Sequence, residues 1–348
     1  DNKIIKTKLT SPDTITLHKN LDYLKNKKIN NVIIEASSHG LDQKRLHHIK
    51  FKGAIFTNFS QDHLDYHKTM AVYFAAKRIL FEQMVENGSD GVAVINIDNL
   101  AGEKLAAEFS DRLKIITFGF SVGADFRASE VRPSVRGQVF ALEARGKSFL
   151  VRLPVVGRFN VLNALAAIAS VSSTGVPLRN LVKAVGEIRQ TPGRMEFVGG
   201  DRVSVFVDYA HTPDALSAAL QALRPHAVGN LWLIFGAGGE RDNGKRALMG
   251  EIAEQYADRV ILTNDNPRNE LPQNIVTDIQ AGIRELQNIQ VELDRNSAIT
   301  CAIEQAACGD VVLIAGKGHE DYQLVGSERI YFSDYEVAER ELSRRCAA

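Results

Sequence analysis

Four apolar runs in the second half of the chain each end in a turn that carries charged or polar residues. The runs cover residues 203–207, 231–235, 259–262 and 311–314, and the turns after them read Asp208-Tyr209-Ala210-His211, Gly236-Ala237-Gly238-Gly239, Asp265-Asn266-Pro267-Arg268 and Gly316-Lys317-Gly318-His319-Glu320. Apolar runs that alternate with helical patterns indicate strands of a parallel sheet. Ligands of such sheets bind beyond the carboxyl ends of the strands, so we expect the four turns to converge on one site.

A carboxylate and an imidazole follow two apolar runs in the first half of the chain in the same way. Glu35 comes directly after the run 32–34, and the segment Asp62-His63-Leu64-Asp65-Tyr66-His67 follows the run 54–56. Such groups on one sheet edge can hold a divalent cation, Mg²⁺ or Mn²⁺ if oxygen ligands dominate. The alternative that spacing leaves open is a set of solvated loop charges.

Lys77 lies in a helical pattern that runs from Tyr73 to Met84. Tyr73 and Phe81 are four residues away on either side, so both share a helix face with the lysine. A lysine in this setting either extends its ammonium to solvent or is a partly buried amine with a lowered pKa, available for chemistry or covalent modification. The sequence leaves both interpretations open.

Three glycine-lysine pairs invite comparison with the phosphate-binding loop G-x-x-x-x-G-K-[ST]. The segment Gly239–Lys245 has the glycine and lysine spacing, but Arg246 stands where the loop needs a hydroxyl. The pair at Gly146 has the hydroxyl at Ser148 but lacks the first glycine, and the pair at Gly316 lacks the rest of the pattern. None of the three is an intact phosphate-binding loop.

The remaining patterns predict an α/β protein of two domains. Alternating residues around Arg145-Gly146-Lys147 predict a β-hairpin between residues 139 and 151, and the alanine-rich run 160–171 predicts a buried helix. Pro192-Gly193 breaks regular structure, and a new series of strands and helices follows it. We therefore expect one domain over residues 1–190 and a second over residues 191–348.

The composition is that of an ordinary globular chain. Its 348 residues carry 42 Lys and Arg against 42 Asp and Glu, so the net charge gives no reason to expect nucleic acid or an anionic membrane as a partner. The three cysteines, an odd number without C-x-x-C spacing, predict neither a disulfide framework nor a zinc site. No apolar run approaches the roughly 18 residues that span a bilayer, and we expect a cytoplasmic monomer that binds small molecules.

Six motifs spread along the chain point to a family when they are taken together. They are Glu35-Ala36-Ser37-Ser38-His39-Gly40, residues 58–67, the spaced set Gly157, Asn160, Asn163 and Ala166-Ala167, Pro192-Gly193-Arg194-Met195-Glu196, residues 208–214, and residues 316–320. In this order they resemble the Mur ligases, the ATP-dependent amide-forming enzymes of peptidoglycan synthesis. Residues 265–268 read Asp-Asn-Pro-Arg, which resembles the mark of family members that add meso-diaminopimelate to the UDP-N-acetylmuramoyl dipeptide.

The resemblance implies a fold as well as an activity. It implies a central ATPase domain without its N-terminal part, built on a parallel sheet with helices and a small β-hairpin region, and then a Rossmann-like C-terminal domain for the incoming amino acid. The family's uridine-binding domain and its G-T-x-G-K-T-T loop are expected before Thr10, and this sequence contains neither. Because that loop holds the phosphates of ATP, we expect no ATP turnover by this chain alone.

The resemblance also implies roles for individual residues. Mg²⁺ would be held by the catalytic group, which consists of Glu35, His63 and a carbamylated Lys77. ATP would be contacted by Asn160, Arg194, Asp208 and His211. The UDP-N-acetylmuramoyl dipeptide would be held by Thr10, Ser11, Ser37, Gln43 and Arg45, and meso-diaminopimelate by Arg241, Asp265, Asn266, Arg268, Gly316 and Glu320.

The residues implied for diaminopimelate suit its chemistry, because a zwitterion with a second ammonium and carboxylate needs both charge signs. Arg268 and Arg241 can each bind a carboxylate through a planar guanidinium, and Glu320 can receive an ammonium. In the implied reaction, ATP converts the D-glutamyl carboxylate into an acyl phosphate, which the diaminopimelate amine attacks. Two alternatives stay open: a non-catalytic remnant that keeps the amino-acid site, and another ligase of the superfamily such as folylpolyglutamate synthase, against which residues 265–268 argue.

Overall fold

The computed structural model describes residues 9–88, 90–134, 137–200 and 202–347. Its strands form two six-stranded sheets and a two-stranded hairpin. Helices lie between most of the strands along the chain, so the α/β class that the sequence predicts is confirmed. In the first half the elements are α1 (Thr14–Asn26), α2 (Ser38–Asp42), β1 (Gly53–Phe56), α3 (Leu64–His67), α4 (Met70–Glu86), β2 (Val92–Asn96), α5 (Leu100–Phe109), β3 (Lys114–Gly119), β4 (Phe126–Ser134), β5 (Gly137–Ala144), β6 (Lys147–Leu153), α6 (Arg158–Ser172) and α7 (Leu178–Val185).

The first sheet has the strand order β1-β2-β3-β4-β5-β6. β1, β2 and β3 run parallel, and all five residues of β2 are buried, as expected for a strand covered on both faces. β5 and β6 pair antiparallel around Arg145 and Gly146, whose φ angles of 52° and 70° suit the two-residue turn of a hairpin. The predicted hairpin is confirmed, and α6 confirms the predicted helix at 160–171.

The elements of the second half are β7 (Glu196–Gly199), β8 (Ser204–Asp208), α8 (Pro213–Leu223), β9 (Leu231–Phe235), α9 (Gly244–Tyr256), β10 (Arg259–Leu262), α10 (Pro272–Gln280), β11 (Ile289–Val291), α11 (Arg295–Gln305), β12 (Val311–Ala315), the hairpin strands β13 (Tyr322–Val325) and β14 (Glu328–Tyr331), and α12 (Asp334–Ala347). The second sheet has the strand order β11-β10-β9-β12-β8-β7 and is parallel except for the antiparallel pairing of β7 with β8. Residues at alternate strand positions pack into two cores, one with α8, α9 and α10 and the other with α11 and α12.

The four strands that precede the charged turns are neighbours in this sheet. β10, β9, β12 and β8 lie side by side and parallel, so their carboxyl ends are at one edge. The structure therefore places the four turns at one edge of the sheet, as the sequence predicts. Sheet topology rather than sequence proximity brings them together, because 108 positions separate Asp208 from Gly316 along the chain.

The expected strand at 32–34 is wrong. Residues 29–37, all of them described, adopt neither helix nor strand, and the Ile33 side chain is 98% exposed. An apolar run forms a parallel strand only where a neighbouring strand completes its hydrogen bonds and helices cover its faces. Here the segment is held by a side chain instead, since Ser11 Oγ donates to Glu35 O at 2.8 Å.

Contacts within the chain define two compact units. One contains the chain up to Phe59, residues 63–127 and residues 165–176, and the other contains residues 60–62, residues 128–164 and the chain from Pro177 onward. The first unit has a core of its own that includes Phe56, Phe81, Ile95 and Phe109. The candidate ligand residues fall into both units.

Candidate ligand-binding sites

The turns after β8 and β12 approach each other backbone to backbone. Gly318 has a φ of 53°, and a Cβ added to it would lie 2.7 Å from Gly193 O and 2.8 Å from Tyr209 Cβ. Gly193 has a φ of 64° and as little room, because its added Cβ would lie 2.0 Å from His319 N. Both positions therefore require glycine. They are where the loops that carry Gly193, Tyr209 and Gly318 contact one another.

Arg268 is fixed next to the glycine-rich turn after β9. Its backbone has a φ of 54°, and its Nη1 donates to Gly239 O at 2.6 Å. A Cβ added to Gly238 would lie 3.1 Å from Arg268 Nη1 and 3.5 Å from Arg241 Cγ, so both arginines contact this glycine position. The side chains of Arg268 and Arg241, whose guanidinium groups can each bind a carboxylate, are therefore neighbours at Gly238.

The hairpin of β13 and β14 holds the 265–268 segment from the other side. Arg268 N donates to Leu324 O at 3.0 Å, and Gly326 N donates to Arg268 O at 2.7 Å. Gln323 Nε2 donates to Asp265 O at 3.1 Å. These bonds fix the backbone of the segment, while Arg268 as a residue is only partly buried.

Glu320 is surrounded by hydrogen-bond donors. Its Oε2 accepts from Asn266 Nδ2 at 2.9 Å and from Lys317 Nζ at 3.1 Å, and its Oε1 accepts from Tyr322 Oη at 3.3 Å. Asp265 lies against the start of the same turn, since a Cβ on Gly316 would be 2.5 Å from Asp265 Oδ2. The structure therefore brings together the set implied for diaminopimelate: Arg241, Asp265, Asn266, Arg268, Gly316 and Glu320.

Three of the four residues implied for ATP lie around Tyr209. The Arg194 guanidinium is 4.7 Å from the centre of the Tyr209 ring, and the His211 ring is also 4.7 Å from it. Asp208 precedes Tyr209 and is buried, and its carboxylate accepts from Met195 N at 2.6 Å and Ala210 N at 2.8 Å. The fourth residue, Asn160, makes hydrogen bonds local to α6, where its Nδ2 donates to Val156 O at 2.7 Å.

Burial changes the pKa of two of these groups. Burial raises the pKa of Asp208 to about 6, against the hydrogen bonds and the Arg194 charge that favour its ionised form. Burial, followed by the charges of Glu320 and Asp265, raises the pKa of Tyr209 to about 12. The Tyr209 phenol therefore stays protonated at neutral pH, whereas the Asp208 carboxyl titrates close to neutral pH.

In the first unit, four of the five residues implied for the muramoyl peptide form one hydrogen-bonded group. Ser11 is fully buried, and its Oγ lies 3.0 Å from the hydroxyl of Ser37, which caps the start of α2. Arg45 Nη1 donates to Ser11 O at 3.0 Å, and its Nη2 donates to Gln43 Oε1. Thr10 is exposed. The buried Ser11 hydroxyl is thus used within the protein.

His63 and Lys77 both lie against the ring of Tyr73. Lys77 Nζ is 4.8 Å from the ring centre, and the His63 ring is 5.8 Å from it. The third residue implied for Mg²⁺, Glu35, has an exposed side chain. Among the described residues no three His, Cys, Asp or Glu side chains are placed to hold a metal ion.

Arg246 explains why the Gly239–Lys245 loop only resembles a phosphate-binding loop. Its side chain is fully buried, and its Nη1 donates to Glu270 Oε1 at 2.6 Å and to Asp278 Oδ2 at 2.8 Å. Its Nη2 also donates to Gly238 O at 3.2 Å. The arginine thus anchors α9 to α10 and holds the turn at Gly238, so it has a structural role at the position where a phosphate-binding loop has its hydroxyl.

Sequence reasoning missed several residues that shape these sites. Tyr209 and Lys317 lie inside the motifs at 208–214 and 316–320, but the sequence alone assigns neither of them a role. The usable signals are an aromatic residue two positions before His211 and a lysine between two glycines. Arg295 and Asp334 form a fully buried ion pair, with Nε to Oδ1 at 2.7 Å. Their separation of 39 positions gave no sequence signal.

Parallel sheets with charged turns at the strand ends define an α/β ligand-binding protein, and comparison with known proteins narrows the class. The Mur ligase middle domain matches residues 1–171, and the Mur ligase glutamate ligase domain matches residues 193–318. The chain therefore belongs to the Mur ligase family. None of the helices within the described residues is long and apolar enough to cross a membrane.

Three relatives that this chain matches share one enzyme name. The UDP-N-acetylmuramoyl-L-alanyl-D-glutamate–2,6-diaminopimelate ligase of Synechococcus sp. (strain WH7803) is 45% identical over 315 residues, which are 89% of this chain and 63% of the relative. The enzyme of the same name from Bradyrhizobium diazoefficiens is 44% identical over 97% of this chain and 70% of its own length. A solved structure with that name is 38% identical, with a TM-score of 0.66, and the match covers 96% of this chain and 69% of that one. The chain thus spans about two thirds of the proteins that it matches.

Proposed function

We propose that this chain is the ATP-binding and amino-acid-binding part of a ligase that adds meso-diaminopimelate to UDP-N-acetylmuramoyl-L-alanyl-D-glutamate, with one domain over residues 1–190 and the other over residues 191–348. The observation that carries the proposal is the 265–268 segment, where Arg268 stands beside Arg241 and Asn266 contacts Glu320. One group can bind a carboxylate and the other an ammonium. A diamino diacid needs both, and the relatives named for that substrate are 44–45% identical to this chain.

In the proposed reaction the γ-phosphate of ATP is transferred to the D-glutamyl carboxylate, and the diaminopimelate amine displaces phosphate from the acyl phosphate. The residues of this chain bind and orient the reactants. Tyr209, with Arg194 and His211 against it, offers an aromatic and cationic surface to a nucleotide. Arg268 and Glu320 hold the amino acid so that its amine is presented.

Mg²⁺ would be held by Glu35, His63 and Lys77, the last as a carbamate, and when bound it would offset the phosphate charge. The Glu35 carboxylate and a carbamate at Lys77 would supply the oxygen ligands that Mg²⁺ prefers, and water or phosphate oxygens would fill its other positions. His63 and Lys77 share the Tyr73 ring, which supports a common site for them. We also propose that the protein acts in the cytoplasm as a monomer.

The diaminopimelate proposal is tested by removing the Arg268 guanidinium. We expect the chain to prefer meso-diaminopimelate to L-lysine by about 10- to 100-fold, because a charged hydrogen bond to the extra carboxylate contributes roughly 1.5–3 kcal/mol. Arg268→Ala should abolish this preference and leave the weaker lysine binding nearly unchanged. Calorimetric titration of both ligands gives the comparison.

Arg259→Ala is the matched control, because Arg259 is an exposed arginine at the start of the same strand, β10. It should leave the preference intact. Equal affinity of the unmodified chain for the two ligands would contradict the proposal. A preference for L-glutamate would instead favour the folylpolyglutamate synthase alternative, and amino-acid binding without any ligase activity in the intact protein would favour the remnant.

The role of Lys77 is tested by detecting its carbamate. In the presence of ¹³C-bicarbonate and Mg²⁺, we expect a carbamate ¹³C signal from the unmodified chain that Lys77→Arg removes, because only a free amine at this position can form it. Lys104→Arg, an exposed lysine on α5, should keep the signal. If the unmodified chain gives no such signal at saturating bicarbonate, Lys77 is not the modified lysine.

A further inference from the structure

Lys317 is a fully buried lysine beside the candidate amino-acid site. Lysine side chains are almost never fully buried without partners, yet the exposure of Lys317 is 0%. Its Nζ donates to Asn266 Oδ1 at 3.3 Å and to Glu320 Oε2 at 3.1 Å, and it lies 5.3 Å from the centre of the Tyr322 ring. The ammonium is therefore kept in place by the two residues proposed to bind the amino acid.

These contacts fix which way the Asn266 amide points. Its Oδ1 accepts from Lys317 Nζ and also from Leu324 N at 2.9 Å. With two donors on the oxygen, the Nδ2 group must face the opposite side, where it donates to Glu320 Oε2 at 2.9 Å. A flipped amide would set its NH₂ group against two donors, so Lys317 and Leu324 together select one orientation.

The same contacts fix the Glu320 carboxylate. Lys317, Asn266 and Glu320 form a closed triangle of hydrogen bonds in which each residue contacts the other two. One carboxylate oxygen is thereby occupied by two donors from the protein, and rotation of the side chain would break both bonds. The buried ammonium compensates the carboxylate charge, so neither of the two charges is left unpaired.

We propose that Lys317 is a positioning residue that holds Asn266 and Glu320 in the arrangement that recognises one ammonium group of the incoming diamino acid. The inference rests on the proposed function, since it names the device behind the selectivity of that site. Lys317 does not itself contact the ligand, because its side chain has no exposed surface. Its effect passes through the two residues that it orients.

The test compares two ligands that differ in one ammonium. meso-Diaminopimelate has two ammonium groups, and 2-aminopimelate has both carboxylates but only one ammonium. We expect the unmodified chain to prefer meso-diaminopimelate by about tenfold or more, and Lys317→Met to lose most of that preference while its affinity for 2-aminopimelate changes little. A merely structural lysine would weaken both ligands alike. Titration calorimetry measures all four affinities.

Lys183→Met, a change of the same kind at an exposed lysine on α7, is the matched control and should keep the preference. The side-chain amide NMR signals of Asn266 give a second reading and should shift in Lys317→Met but not in Lys183→Met. If Lys317→Met fails to fold, Lys317→Gln replaces it, since its amide can still donate to one partner, with the same expected loss of preference.

The outcomes separate this inference from the proposed function. If the unmodified chain binds neither ligand, the proposed function is overturned, and the inference is overturned with it. If the unmodified chain discriminates and Lys317→Met discriminates equally well, only the inference is overturned. Unmoved Asn266 signals in Lys317→Met would overturn it as well.

Discussion

Replacement of Arg295 by methionine is expected to lower the free energy of unfolding by about 3–5 kcal/mol, because it leaves the Asp334 carboxylate buried without its cation. Both side chains are fully buried, and the guanidinium binds the carboxylate through two bonds, Nε to Oδ1 at 2.7 Å and Nη2 to Oδ2 at 2.8 Å. Burial opposes the charge of Arg295, but the Asp334 charge and hydrogen bonds outweigh it and raise the pKa of Arg295. Urea denaturation measures the loss.

Two further variants distinguish the cost of leaving a buried charge unpaired from the cost of losing an ion pair as such. Arg295→Met combined with Asp334→Leu should recover much of the stability, since no charge is then left unpaired. Arg329→Met breaks an ion pair with Asp321 whose side chains are 59% and 42% exposed, and it should cost about 1 kcal/mol or less. A loss in Arg295→Met as small as that of Arg329→Met would show that the buried pair is not a major source of stability.

A pH dependence of stability is expected from Asp208. Its pKa is about 6 in the folded protein against a usual value of 3.8, so the folded state holds the proton more tightly than the unfolded state. The stability that it contributes is complete below about pH 4 and is lost as the pH rises through 6. At about 1.4 kcal/mol per pKa unit the loss is roughly 3 kcal/mol. Asp208→Asn, which cannot ionise, should therefore gain stability relative to the unmodified chain by that amount between pH 4 and pH 7.

Asp310→Asn is the control with the opposite sign. Burial disfavours ionisation of Asp310 too, but hydrogen bonds from Trp232 Nε1, Ala307 N and Asn230 N outweigh it and lower its pKa. The stability that Asp310 contributes is present at neutral pH and is lost as the pH falls, so Asp310→Asn should lose stability relative to the unmodified chain as the pH rises. Urea denaturation of the three proteins across this pH range decides the matter. A stability difference for Asp208→Asn that does not change with pH would show that Asp208 titrates normally.

The sequence was a good guide where a pattern was long or repeated. The four buried strands of the second sheet and the turns after them follow from alternation and from the rule that parallel strands end at one edge. The hairpin around Arg145 and Gly146 follows from turn chemistry, since both residues adopt the left-handed φ that the turn requires. In these elements local preference and tertiary packing agree.

The sequence was a poor guide where tertiary partners decide. The run 32–34 is apolar enough for a strand, but Ile33 is 98% exposed in the structure. A run of three residues does not indicate whether a neighbouring strand and covering helices are present. The burial of Lys317 was equally hidden, because lysine is a surface residue by default and only Asn266 and Glu320 make its burial possible. The Arg295–Asp334 pair joins the starts of two helices that are distant in sequence.

The buried Arg246 makes the Gly239–Lys245 loop close to a nucleotide-binding motif in sequence but not in structure. In the sequence, the single substitution Arg246→Thr would complete the G-x-x-x-x-G-K-[ST] pattern. In the folded protein that change would leave the Glu270 and Asp278 carboxylates without their shared counter-charge, beneath the very turn that a phosphate would have to approach. A motif search that tolerates one mismatch would select this loop. In the Arg246→Thr variant, however, the unpaired Glu270 and Asp278 carboxylates would repel the phosphate that the motif binds.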